Sequence, residues 1–385
     1  MGRIFKKLTA VLLTLLLCTG CTKEAADMDR WLETAALDAQ ESPQELYEKA
    51  LKEDVLIVYT VSTRLAQTKE SFEAAYPGLT VELRDVRSPS LIEAVEQNHE
   101  KGNRDCDVVL CNDNSGEFKQ RLTDKGLVYP YLPEDIAAHR KEGVGGDGAS
   151  FLLETEMLFY NSGKFDSCPI RNLWELTEEK YRGRIYMPNP LNSFSTYAFC
   201  GASMQKETEL AEAYRRYSGK EAVPAEGENV AELFWRKAAA NIVFTNSSDE
   251  VVEALSNGEA DFGFCVSSKL RLCELGYTLG PVWELDPFSA CVTSYSVMIA
   301  RDSANVNTAK LFIRYLYGEA DGKGEGFLPF RSEGCWSVRE DVEDGASVPL
   351  SDIDLIYVDQ DALIQSKERM NGFWSGIIRE SGRRE

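Results

Sequence analysis

Short apolar runs alternate with helix-spaced apolar stripes along most of this chain. Val55-Leu56-Ile57-Val58-Tyr59-Thr60 is a continuous, partly β-branched run of the kind found in buried strands. Ser62 and Thr63 follow it, and then Leu65, Thr68, Phe72 and Ala75 recur at helical spacing until Pro77-Gly78 stops the helix. Leu79-Thr80-Val81-Glu82-Leu83 alternates like a second strand, and Ser90-Leu91-Ile92-Glu93 has the form of a capping box opening a second helix. Cys106 to Leu110 reads as a third strand, closed by the polar turn Asn112-Asp113-Asn114. Phe118 and Leu122 then mark a third helix, ended by Gly126. This β-α-β-α-β-α order predicts a parallel sheet with helices on both faces. Such sheets bind ligands beyond the carboxyl ends of their strands, where Ser62, Thr63, Asn112 and Asp113 stand.

The alternation resumes in the middle of the chain. Thr155 to Asn161, Gly183 to Met187, Asn241 to Phe244 and Asp261 to Val266 read as strands. A helix is expected from about Ser193 to Met204, and another after Ser247-Ser248-Asp249-Glu250, carrying Val251, Val252 and Leu255. Val297 to Ala300 returns to the first sheet, and Ala309, Phe312, Ile313 and Leu316 form a core-facing helical stripe.

The N-terminus is of another kind. Arg3, Lys6 and Lys7 precede an apolar run from Leu8 to Leu17, too short to span a membrane, which needs about 20 apolar residues. A basic start, a short apolar core and small residues before a cut read as an export signal. Gly20-Cys21 resembles a lipoprotein cleavage site, in which the cysteine becomes the lipidated first residue; Cys18 stands where a branched apolar residue is usual. Without acylation the same segment would yield a soluble secreted protein or an uncleaved anchor. Residues 22–48 are acidic and polar, the composition of a tether followed by a first helix after Ser42-Pro43.

Composition narrows the function classes. A net charge of -21 over 385 residues gives a surface that repels nucleic acid and anionic lipid. Eight cysteines lie beyond Cys21, at 106, 111, 168, 200, 265, 273, 291 and 335. An exported location permits disulfides, but no C-x-x-C occurs among these eight, and buried free thiols are the simpler reading. The only histidines, His99 and His139, sit in polar stretches and suit the surface rather than a catalytic triad. No H-E-x-x-H, G-x-S-x-G or phosphate-loop motif is present, so the residues point to no enzyme, cofactor or metal set.

Several segments in colinear order resemble one family: Leu56 to Thr60, Phe72 to Val81 with its Tyr-Pro-Gly, Asp107-Val108-Val109, Lys125-Gly126-Leu127 and Tyr160-Asn161. Leu173-Trp174-Glu175-Leu176, Tyr181 to Ile185, Gly258-Glu259-Ala260, Ala309 to Ile313 and Phe373-Trp374 complete the set. Over about residues 53–378 the chain resembles the ferric-iron-type extracellular solute-binding proteins of ABC importers. The resemblance implies an α/β, two-lobed type II periplasmic binding protein fold. Each lobe would be a mainly parallel sheet flanked by helices, and crossover strands would join the two. Residues 49–152 and 292–348 would form the first lobe, 153–291 and 349–385 the second, after a signal over 1–21 and the tether over 22–48. It further implies a monomer, outside the cytoplasm and held by lipid on Cys21, that binds a small molecule and docks on ABC permease subunits. A ligand sensor docked on a signalling receptor would use the same fold.

Candidate ligand contacts follow. Ser62-Thr63, Ser193 with Ser195 and Thr196, and Ser247-Ser248 place hydroxyls at helix starts, where free amides and the helix dipole favour anions. The same residues also serve as ordinary N-caps. In ferric-binding members a tyrosine pair follows the strand after Gly-Glu. Here that place falls near Ser268 and Lys269, poor partners for Fe(III) but suited to an anion. Arg87 follows the second strand and offers a cation; Asn112 and Asp113 offer hydrogen bonds to an amine or hydroxyl. The expected ligand is a small anionic organic solute (phosphorylated, phosphonate or carboxylate), with ferric iron as the alternative.

Overall fold

Leu56 and Val58 carry no exposed surface, and with Leu110 of the third strand they seed the first core. The computed structural model describes residues 28–381 apart from 29, 87, 113–114 and 142–148. Arg87, Asp113 and Cys21 therefore lie outside the described residues. Twelve strands pair into one sheet: β1 (Leu56–Thr60), β2 (Val81–Asp85), β3 (Val108–Asn112), β4 (Val128–Pro130), β5 (Ser150–Asn161), β6 (Ile185–Pro188), β7 (Ile242–Thr245), β8 (Phe262–Val266), β9 (Leu279–Pro281), β10 (Ala290–Ala300), β11 (Trp336–Ser337) and β12 (Leu355–Ile356). The order along it is β2-β1-β3-β10-β5-β8-β6-β7. Each end is parallel, β1 with β2 and β3 on one side, β6 with β7 and β8 on the other. Between them β10 and β5 run antiparallel to each other and to the flanking β3 and β8. Two parallel halves thus hang on two long central strands, the two-lobed α/β arrangement the sequence predicts.

Helices cover the faces. Residues 28 and 30–35 belong to α1, followed by α2 (Pro43–Ala50), α3 (Leu65–Ala75), α4 (Ser88–Glu100), α5 (Glu134–Ala137), α6 (Phe194–Met204), α7 (Glu207–Ser218), α8 (Val230–Ala238), α9 (Ser248–Ser256), α10 (Val306–Leu316) and α11 (Gln360–Ser381). No helix among the described residues is long and apolar enough to cross a membrane. The first half is cored by Phe72, Phe312 and the apolar side of β1 and β3, the second by Trp174, Phe199, Phe234, Trp235, Phe264 and Trp374. A smaller cluster around Tyr59, Leu91, Val109 and Phe118 covers the other face of the first half.

Local differences from expectation have physical causes. α4 starts at Ser88, so Ser90 lies inside its first turn and is exposed, not a cap. The stretch expected as a tether is packed from α1 onward, because Trp31 packs against Tyr129 with ring centroids 5.5 Å apart and donates to Ser303 O at 3.1 Å. Lys310 Nζ, buried on α10, holds Ala36 O at 2.8 Å and Glu41 at 2.7 Å. The third helix is a single π-turn, Lys119–Thr123. Strand β5 begins at Ser150, five residues before the expected start, since Phe151 to Leu153 are as buried as the rest. The eight cysteines are free thiols, all buried save Cys273.

Candidate functional site

Strand β5 is buried along its length apart from Tyr160, yet it carries two carboxylates two positions apart. Period-two alternation puts Glu154 and Glu156 on one face. Across the ladder Glu156 faces Cys291, Glu154 faces Thr293 and Leu152 faces Tyr295, so these residues form one floor where the halves meet. Glu154 and Glu156 are 1% and 0% exposed.

Each half contributes a wall. Arg64, just ahead of α3, donates from Nη2 to Glu154 Oε1 and from Nη1 to Cys335 Sγ at 3.2 Å. Its guanidinium also lies over the Phe330 ring, 4.8 Å from the centroid. Burial alone would disfavour the charge of Arg64, but the Glu154 carboxylate more than offsets it and holds the group protonated. The Cys335 thiol is pushed up to about 11, first by burial and then by Glu154, and it donates to Glu154 Oε1 at 3.6 Å. The second wall is the start of α6. Ser193 caps this helix, its Oγ accepting from Thr196 N at 3.4 Å and lying 2.9 Å from Thr196 Oγ1. Thr196 Oγ1 in turn donates to Glu156 Oε1 at 2.8 Å. Burial pushes the Glu156 carboxyl up to about 7; hydrogen bonds from Thr196 and Ser195 restrain that rise. Half-buried Tyr295 stays a neutral phenol, raised by burial and then by Glu154.

The second oxygens of both carboxylates, Glu154 Oε2 and Glu156 Oε2, are buried without a hydrogen-bond partner. Behind the floor, Thr155 N donates to Ser267 Oγ at 2.9 Å, and Ser267 Oγ donates to Gly334 O at 2.5 Å. The halves also touch beside the floor. Phe194 of α6 packs against the cluster around Tyr59 and Phe118, and Lys367 of α11 pairs with Glu117 at 2.7 Å. A cavity of about 290 Å³ lies at this seam, lined among others by Ser115, Glu117, Phe194, Tyr197, Lys367 and Asn371.

The sequence-predicted residues divide accordingly. Ser195 and Thr196 reach the floor at Glu156, Ser193 holds Thr196 behind them, and Asn112, paired across the ladder with Tyr295, ends beside it. The expectation that Ser62 and Thr63 open a helix needs correction. The helix begins at Leu65 with Arg64 at its N-cap and no side-chain cap; Ser62 N is bound by Thr60 Oγ1 at 3.0 Å, and Thr63 is exposed. Ser247 is a plain cap of α9, accepting from Glu250 N at 3.3 Å, with half-buried Ser248 as the first helical residue. Lys269, 13% exposed, is paired with Asp249 at 2.5 Å, so its charge is already met inside the second half. Glu154, Glu156, Arg64, Tyr295 and Cys335 escaped the sequence reading. The usable signal was Glu-Thr-Glu inside the otherwise apolar run from Phe151 to Phe159.

Residues 56–322 match the family model of bacterial extracellular solute-binding proteins. The chain belongs to that family. This solute-binding protein also shares its fold with solved structures. One is iron-bound HitA from Pseudomonas aeruginosa, with TM-score 0.63 and 19% identity over 84% of this chain and 99% of that one. Another is the substrate-binding protein of an ABC transporter from Agrobacterium tumefaciens, with TM-score 0.64 and 14% identity over 84% of this chain and 94% of that one. A third is the periplasmic binding protein AfuA from Actinobacillus pleuropneumoniae with exogenous fructose-6-phosphate bound; its TM-score is 0.62, with 17% identity over 84% of this chain and 98% of that one. No functionally curated protein is similar enough in sequence to be matched to it.

Proposed function

We propose that this solute-binding protein captures a small anionic organic solute outside the cytoplasm and presents it to an ABC importer, anchored by lipid on Cys21. The observation that carries the reading is the start of α6. There the hydroxyls of Ser193, Ser195 and Thr196 and the positive end of an 11-residue helix meet the seam between the halves. The fructose-6-phosphate in one neighbour and the transporter named for another support a phosphorylated or carboxylated solute and an ABC partner. Closure of the seam around the solute would be the state a permease recognises.

Ferric iron is the second reading, and iron-bound HitA favours it. Glu154, Glu156 and Tyr295 supply oxygens of the kind Fe(III) prefers. Against it, Arg64 is bonded to Glu154, and a fixed cation there opposes a trivalent one. Thermal shift on the protein lacking residues 1–21 separates the two. A phosphorylated or carboxylated solute in large excess over its Kd should raise stability by about 3–4 kcal/mol. No response to any anion, with a strong shift and a visible charge-transfer band from ferric citrate, would establish the iron reading instead.

A further inference from the structure

The floor holds more acid than the protein neutralises. Glu154 and Glu156 point from one face of β5 into the seam, and each keeps a buried oxygen with no partner. Among the described residues Arg64 is the cation bonded to the pair, and Lys269 is committed to Asp249. The thiols of Cys200 and Cys291, beside Glu156, are held protonated by burial and offer only weak donors. Burying a carboxylate oxygen without a hydrogen bond is costly, and folded proteins retain such groups mainly where something else completes them. The two carboxylates are held by Arg64 of one half and Thr196 of the other, at the seam where a captured solute would be enclosed.

We propose that Glu154 and Glu156 receive a protonated amine of the solute, so that the solute is a zwitterion with its anionic end at the start of α6. This rests on the seam being the solute site. An ammonium group supplies three donors and one positive charge, which matches two free acceptors and the one carboxylate that Arg64 leaves unbalanced. The half-buried Tyr295 ring beside Glu154 gives the cation an aromatic neighbour. Glu156, pushed up to about 7 by burial, shares its time between the two protonation states near neutrality, and an arriving cation would hold it ionised.

Isothermal titration of the purified protein with three probes tests this. They are 2-aminoethyl phosphate, ethyl phosphate and 2-aminoethanol, each with the native protein and with Glu156→Gln. The expected result is that 2-aminoethyl phosphate binds about tenfold or more tighter than ethyl phosphate, and that Glu156→Gln abolishes the preference. Equal affinity for the two phosphates in the native protein overturns the proposal, whether or not the variant folds. Binding of 2-aminoethanol but of neither phosphate overturns the zwitterion as well, since the anionic end would then find no place at the start of α6. Absence of binding by both amines, with or without ethyl phosphate binding, overturns it.

Discussion

A carboxyl sealed inside a protein carries its own pH signature. Glu156 has no exposed surface, and burial raises it from the ordinary 4.5 to about 7. The folded chain therefore binds more protons than the unfolded chain between those values, and the contribution of Glu156 to stability falls as pH rises through that window. Below about pH 4.5 both states are protonated and nothing is lost; above about pH 7 the loss is complete, roughly 3 kcal/mol for a shift of this size. Glu156→Gln has no carboxyl to ionise. Urea denaturation of the two proteins should show the variant gaining on the native protein by roughly 3 kcal/mol between about pH 4 and pH 8. A stability difference independent of pH would mean that the carboxyl is not buried as described.

The elements follow from apolar pattern far more directly than the floor does. Strands β1, β3 and β8 and helices α6, α9 and α10 sit where runs such as Leu56–Thr60 and stripes such as Ala309, Phe312, Ile313 and Leu316 require them. The floor was illegible because it depends on which distant elements close over Glu154 and Glu156. Nothing local announces that Arg64 reaches Glu154, or that Lys269 finds Asp249. The loop before β11 is a case where backbone geometry decides. Gly334 has φ +77°, and a Cβ there would lie 2.2 Å from Ser267 O. Neither the left-handed backbone nor the close approach tolerates a side chain. Gly334→Ala should therefore cost about 2–4 kcal/mol in thermal or chemical denaturation, well above an ordinary surface substitution. A cost below roughly 0.5 kcal/mol would show that this loop does not bear on β5 and β8.

At the scale of the molecule, α11 crosses from one half to the other. Arg369 grips Glu232 of α8 with two contacts of 2.7 Å, while Lys367 reaches Glu117 of the first half and Ile364 packs on Gly116. Lys367→Glu should turn that reach into repulsion and favour the open arrangement by about 1 kcal/mol, a fivefold change in the ratio of states. Small-angle scattering of the solute-free variant would then show a larger radius of gyration, restored by adding Glu117→Lys and diminished in high salt. An unchanged radius would mean that the pair decorates the seam without holding it. The packing of α1 and α2 has a mechanical consequence. Trp31, Ala36 and Glu41 are fastened to Ser303 and Lys310, so any mooring ahead of them pulls on the first half alone. Under such a mooring the second half would be the one to move, with β5 and β10 taking up the bend.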